Sequence, residues 1–137
     1  MERYKIIEDL TSDVMFEAYG RTHAELFKNS ALALLGVICQ IDEVKREKSV
    51  TVEAEGDGWK DLMFEWLQKI ISTVDIEQMF FSGIEILEMR EKHIKARISG
   101  EDADPSKGGT LVKAVTRYRF DLWKEGGIFR CRVALDI

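Results

Sequence analysis

Between Thr22 and Ile38 the chain reads Thr-His-Ala-Glu-Leu-Phe-Lys-Asn-Ser-Ala-Leu-Ala-Leu-Leu-Gly-Val-Ile, and no other stretch narrows the possible folds as much. Ala24, Phe27, Ala31, Leu34, Leu35 and Ile38 recur at spacings of three and four, the period of one helix face. Leu26, Ser30, Ala33 and Val37 widen that face. Thr22 stands where an N-cap belongs, with Glu25 three residues on, the pattern of a capping box. A helix with so many small and apolar positions lies deep against something. The other regular segments read mostly as strands, so the expectation is a helix covering a sheet.

The remaining elements follow from turn chemistry and period. Tyr4 to Asp9 reads as a short strand, and Leu10-Thr11-Ser12-Asp13 as a polar turn. Val14 to Tyr19 forms the next strand, stopped by Gly20. After a charged connection over residues 39–48, Val50, Val52 and Ala54 alternate with polar neighbours as a half-buried strand, ended by Gly56-Asp57-Gly58. Leu62, Met63, Trp66, Leu67, Ile70, Ile71 and Val74 mark a second helix from Gly58 to Val74, with 75–79 an irregular extension. Phe80–Met89 and Lys92–Gly100 flank a tight turn at Arg90-Glu91. A polar loop, 100–109, precedes a second hairpin, Thr110–Leu122 and Ile128–Leu135, around Lys124-Glu125-Gly126-Gly127. The order β-β-α-β-α-β-β-β-β predicts an α+β fold with two helices on a largely antiparallel sheet. At 137 residues it is expected to be a single domain, 1–137, with enough surface buried for a core without metals or disulfides.

Composition narrows the setting. Apolar residues are 45% and charged residues 33%, which excludes a disordered chain. The N-terminus leads straight into a strand rather than a signal peptide, and no apolar run is long enough to cross a bilayer. Cys39 and Cys131 lack metal-site spacing and suit a reducing compartment, so the expected location is cytoplasmic. A net charge of -5 argues against broad nucleic-acid affinity.

Four places could carry chemistry. Asp9 and Asp13 in the polar turn could hold a hard cation through oxygen, or bond to the turn's own backbone. Asp136 lies beside the chain end at Ile137. Basic strand faces, with Lys113, Arg117 and Arg119, Arg130 and Arg132, and His93, Lys95 and Arg97, would form a phosphate-binding patch if aligned, or a solvated face paired with glutamates. The loop 100–110 has glycines and Lys107 but not the order of a P-loop, and its acids Glu101, Asp102 and Asp104 could add metal ligands. His23 and His93 have no nucleophile near them in sequence and read as ordinary polar surface residues.

The motifs in order resemble the archease family, the small accessory proteins of the RNA-splicing ligase that joins tRNA exon halves. The family's Asp-His-Thr-Ala-Asp motif is matched by Asp9-Leu10-Thr11-Ser12-Asp13. Its Thr-x-x-Glu-Leu-Phe helix opening is matched at Thr22–Phe27, its Gly-Glu pair at Gly100-Glu101, and its Gly-Thr-x-Val-Lys-Ala strand at Gly109–Ala114. Its terminal Asp-Ile is Asp136-Ile137. The resemblance implies two helices on a β-sheet sandwich. It implies a divalent ion, calcium in some members, held by Asp13, Asp136 and a main-chain or terminal oxygen of Ile137. Oxygen ligands would equally serve magnesium or manganese. It implies no catalysis by the chain itself, but activation of an RNA-splicing ligase by promoting guanylylation and multiple turnover. RNA would be met only through that complex, with self-association open and no membrane role. The chain departs from the family's imidazoles: Leu10 replaces the first-motif histidine, Arg117-Tyr118 replaces Tyr-His, and Pro105-Ser106-Lys107 occupies the polar loop where a histidine is often found.

Two other readings remain open on the residues alone. One is a small metal-dependent phosphate-ester hydrolase with Asp9, Asp13 and Asp136 around an ion. The other is a chaperone-like or nucleic-acid-binding module using the basic strand faces.

Overall fold

A computed structural model describes residues 1–7 and 14–137. Among the described residues seven strands and two α-helices follow one another as β1 (Tyr4–Ile7), β2 (Val14–Gly20), α1 (His23–Ile38), β3 (Lys48–Glu55), α2 (Trp59–Glu77), β4 (Met79–Arg90), β5 (His93–Asp102), β6 (Ala114–Glu125) and β7 (Ile128–Asp136). The strands form two antiparallel sheets, ordered β1-β2-β7-β6 and β3-β5-β4. The expected α+β class and element order hold. The expected polar turn at Asp9–Asp13 lies outside the described residues.

Helix α1 is capped as its sequence predicts, with the Thr22 hydroxyl accepting from the Glu25 amide at 3.1 Å. It packs on β1, β2 and β7 of one sheet and on β4 of the other, so it joins the sheets rather than covering one. That explains its width of burial: Leu26, Phe27, Ala31, Ala33, Leu34 and Leu35 are all inaccessible to solvent. A buried polar residue is satisfied across the fold, Asn29 donating through Nδ2 to the Tyr19 carbonyl at 2.8 Å.

Helix α2 packs on β3, β4, β5 and β6 with the stripe from Leu62 to Ile71. Trp66, fully buried, donates its indole N–H to the Phe27 carbonyl at 3.0 Å and ties α2 to α1. The helix runs past Val74 to Glu77, one turn beyond the expected stop. No glycine or proline interrupts residues 75–77, and the chain breaks out only where Gln78 turns left-handed at φ 52°.

The β6–β7 hairpin closes on Gly126 and Gly127, at φ 59° and 76°, conformations that suit glycine and the twist of a two-residue turn. Strand β6 begins at Ala114 rather than Thr110. The amides of Gly109 and Thr110 instead cap α1, donating to the carbonyls of Ile38 and Val37, both at 2.8 Å. A side chain on Gly109 would meet the Val37 carbonyl at 2.5 Å, so this close approach requires glycine.

Candidate functional site

Strand β7 carries the last motif to the edge of the fold. Val14 faces Leu135 in the ladder, Ala114 faces Asp136, and the Lys113 amide donates to the Asp136 carbonyl at 2.7 Å. This fixes the backbone of Asp136 and leaves its side chain exposed, with Ile137 37% exposed after it. Asp13 lies outside the described residues.

A divalent ion is the cofactor expected here, and the described residues argue against it. Among the described residues no three His, Cys, Asp or Glu side chains come together as metal ligands. A calcium site takes six to eight oxygens at about 2.3–2.6 Å, and among the described residues no acidic cluster of that kind surrounds Asp136. The expectation of a metal cofactor, calcium, magnesium or manganese, is therefore corrected. Additional ligands do not come from the polar loop either. Glu101 pairs with Lys107 at 2.9 Å and accepts from the Lys45 amide. These bonds, the Lys45 amide first, hold the Glu101 carboxyl below its ordinary pKa. Asp102 pairs with Lys48 at 2.6 Å, and Asp104 accepts from the Ser106 amide at 2.9 Å. The loop's acids fasten the loop.

The three basic faces do not align, because β5 lies in one sheet and β6 and β7 in the other. On β5, His93 meets Glu53 at 3.0 Å and Arg97 meets Glu85 at 2.8 Å, while Lys95 stands opposite Glu53 and Glu88. This is a self-neutralised face. On β6 a bulge between Thr116 and Asp121 breaks the alternation that would have kept Lys113, Arg117 and Arg119 together. Arg117 lies over the Phe64 ring of α2 at 3.7 Å, and Arg119 takes φ 54° with its carbonyl accepting from Arg132 Nε at 2.9 Å. Arg130 and Arg132 do share a face, set among Tyr19, Trp123, Glu17 and Asp121.

His23 is more than a surface residue. Its ring stacks on Trp59 with centroids 3.7 Å apart and leans on Phe129 at 4.1 Å. Burial in this stack pushes its pKa below the ordinary histidine value. Cys39 and Cys131 are free, buried thiols whose pKa values burial raises to about 11 and about 12, so neither is a nucleophile at neutral pH. Tyr118, at a family imidazole position, is half exposed.

What sequence reasoning missed is a groove of about 700 Å³ between the end of α2, the end of α1 and the stretch from Gly108 to Val112. Leu111, read from sequence as part of a strand, lies before β6 in the structure, and its side chain is 76% exposed.

The Archease protein family model matches residues 4–137. A protein archease of Methanosarcina mazei is 32% identical over 142 aligned positions, covering 99% of this chain and 97% of that protein. The solution structure of Methanobacterium thermoautotrophicum protein 1598 superposes with a TM-score of 0.80 at 28% identity, covering all of both chains. The crystal structure of an archease from Thermotoga maritima, 19% identical, shares the fold with a TM-score of 0.70 over 97% of this chain and 96% of that one.

Proposed function

This chain belongs to the Archease protein family, and on that premise we propose that it is a non-catalytic accessory protein that activates an RNA-splicing ligase, promoting the ligase's guanylylation and multiple turnover in tRNA splicing or RNA repair. The observation that carries the reading is the extent of the match, residues 4–137, with the fold kept end to end. A partner protein, rather than a small substrate, also suits the described surface. The acids Glu101 and Asp102 are engaged in ion pairs, the thiols are buried, and the groove beside the end of α2 is open, with apolar walls and an acidic rim. The chain would act by docking on the ligase and reshaping the nucleotide pocket there. RNA would be held by the ligase, since a net charge of -5 repels phosphate at long range. The proposed setting is the cytoplasm.

The test is multiple-turnover ligation of a splicing substrate by the cognate ligase at substoichiometric concentration, with the ligase's own nucleotide and metal present, with and without this protein. We expect the chain to raise the number of turnovers per ligase. An active ligase that gains nothing from the folded protein refutes the reading.

A further inference from the structure

A groove lies beside the end of α2. Ile71, Val74, Phe80 and Leu111 give it apolar walls, and Leu111 projects into solvent at 76% exposure. Ile76, in the last turn of α2, is 77% exposed. Asp75 and Glu77 are exposed on the rim in that same turn, and among the described residues no lysine, arginine or histidine lines the groove. Carboxylates at a helix C-terminus oppose the helix dipole, which favours cations there, and the last turn of α2 contains none. The turn then ends on Gln78 in a left-handed conformation that usually falls to glycine or asparagine. Two local features of the helix end are therefore unfavourable to the isolated chain, and both border the groove.

We propose that this groove is the docking site for a basic, amphipathic segment of the ligase. An aliphatic or aromatic side chain of that segment would enter between Val74 and Leu111, and flanking lysine or arginine residues would meet Asp75, Glu77 and the carbonyls ending α2. This inference rests on the accessory-protein reading and assigns the partner surface. The acidic rim selects the occupant. It repels RNA, and it disfavours a second copy of this chain, which carries the same acidic rim and a net charge of -5.

The test uses the full chain and purified cognate ligase. Asp75→Lys combined with Glu77→Lys reverses the rim, Leu111→Ser removes the exposed apolar contact, and Glu65→Lys, an exposed carboxylate of α2 away from the groove, is the control. Binding is read by titration calorimetry at two salt concentrations, and turnover by ligation. The rim reversal is expected to weaken binding at least tenfold and to flatten its salt dependence, while the melting temperature stays level or rises because lysines suit a helix C-terminus. Leu111→Ser is expected to weaken binding severalfold with the salt dependence kept, and the control to bind as wild type. A rise in stability with a loss of binding separates a docking role from a structural one. Wild-type stimulation with unchanged binding by both groove variants overturns this inference alone. Wild-type protein that neither binds nor stimulates the ligase overturns the accessory reading and this inference together. Light scattering that shows dimers abolished by Leu111→Ser would assign the groove to a second copy and overturn the proposal.

Discussion

Trp66 holds the two helices together, and replacing it with phenylalanine measures how much that junction is worth. The side chain is fully buried, and its indole N–H donates to the Phe27 carbonyl at 3.0 Å. Phenylalanine keeps the ring against the core but deletes the donor and the fused five-membered ring. The lost hydrogen bond costs about 1 kcal/mol. The lost ring leaves roughly 40 Å³, which at about 24 cal/mol per Å³ costs about 1 kcal/mol more, with the lost transfer free energy raising the total towards about 3 kcal/mol. A domain stable by about 5–15 kcal/mol survives this. For 137 residues the melting temperature should fall by roughly 6–15 °C. Urea unfolding followed by circular dichroism should show a lower midpoint with an unchanged slope, since the surface exposed on unfolding hardly alters. Ligase stimulation at 25 °C should persist, because the folded groove is intact. A loss below about 0.5 kcal/mol would refute the view that Trp66 pins α2 to α1.

The corrected metal assignment predicts that millimolar calcium leaves the melting temperature of wild type and of Asp136→Asn equal and unchanged; a calcium-dependent rise abolished by the substitution would restore the ion. Glu101 has a folded pKa below its unfolded value, so its stabilisation is present above about pH 4.5 and is lost as pH falls through the folded value. Glu101→Gln should flatten that acid limb in melting temperatures taken from pH 6 to pH 3, and an acid limb identical to wild type would count against the Lys45 and Lys107 bonds. His23, a base with its pKa lowered by burial, contributes fully above about pH 6.5 and loses stability as pH falls below that, because the unfolded chain takes up the proton first. Its ring protons should titrate below the ordinary histidine range by NMR, and a titration at or above it would sink the stacked arrangement with Trp59 and Phe129.

Local signals were enough for much of the fold. Thr22 and Glu25 mark the start of α1, the stripe from Leu62 to Ile71 marks α2, and Gly126-Gly127 marks a hairpin, and each depends on neighbours a few residues away. The misjudged boundaries depend on distant partners. Residues 110–113 have a strand's composition, but the Gly109 and Thr110 amides are taken by α1's carbonyls, so the ladder starts later. The bulge in β6 cannot be read from alternation, because alternation assumes that it is absent. Asn29 looks like a polar interruption of a helix face until the Tyr19 carbonyl arrives from β2.

The site was harder to read for a related reason. Charge type is visible in a sequence, but whether a charge is already engaged is not. Glu101, Asp102 and Asp104 look like candidate ligands in a polar loop, yet each is held by a lysine or an amide within the fold. The bases of β5 look like a patch, yet His93 and Arg97 pair with Glu53 and Glu85, and the ladder sets Lys95 between Glu53 and Glu88. In sequence Asp75 and Glu77 are two acids in an expected irregular extension. With α2 running through them, they are acids at the unfavourable end of a dipole, beside a groove that no cation lines among the described residues. Two exposed acids at the end of a helix whose last turn carries no cation leave that end unfavourable, and a basic partner segment is the complement that would relieve it.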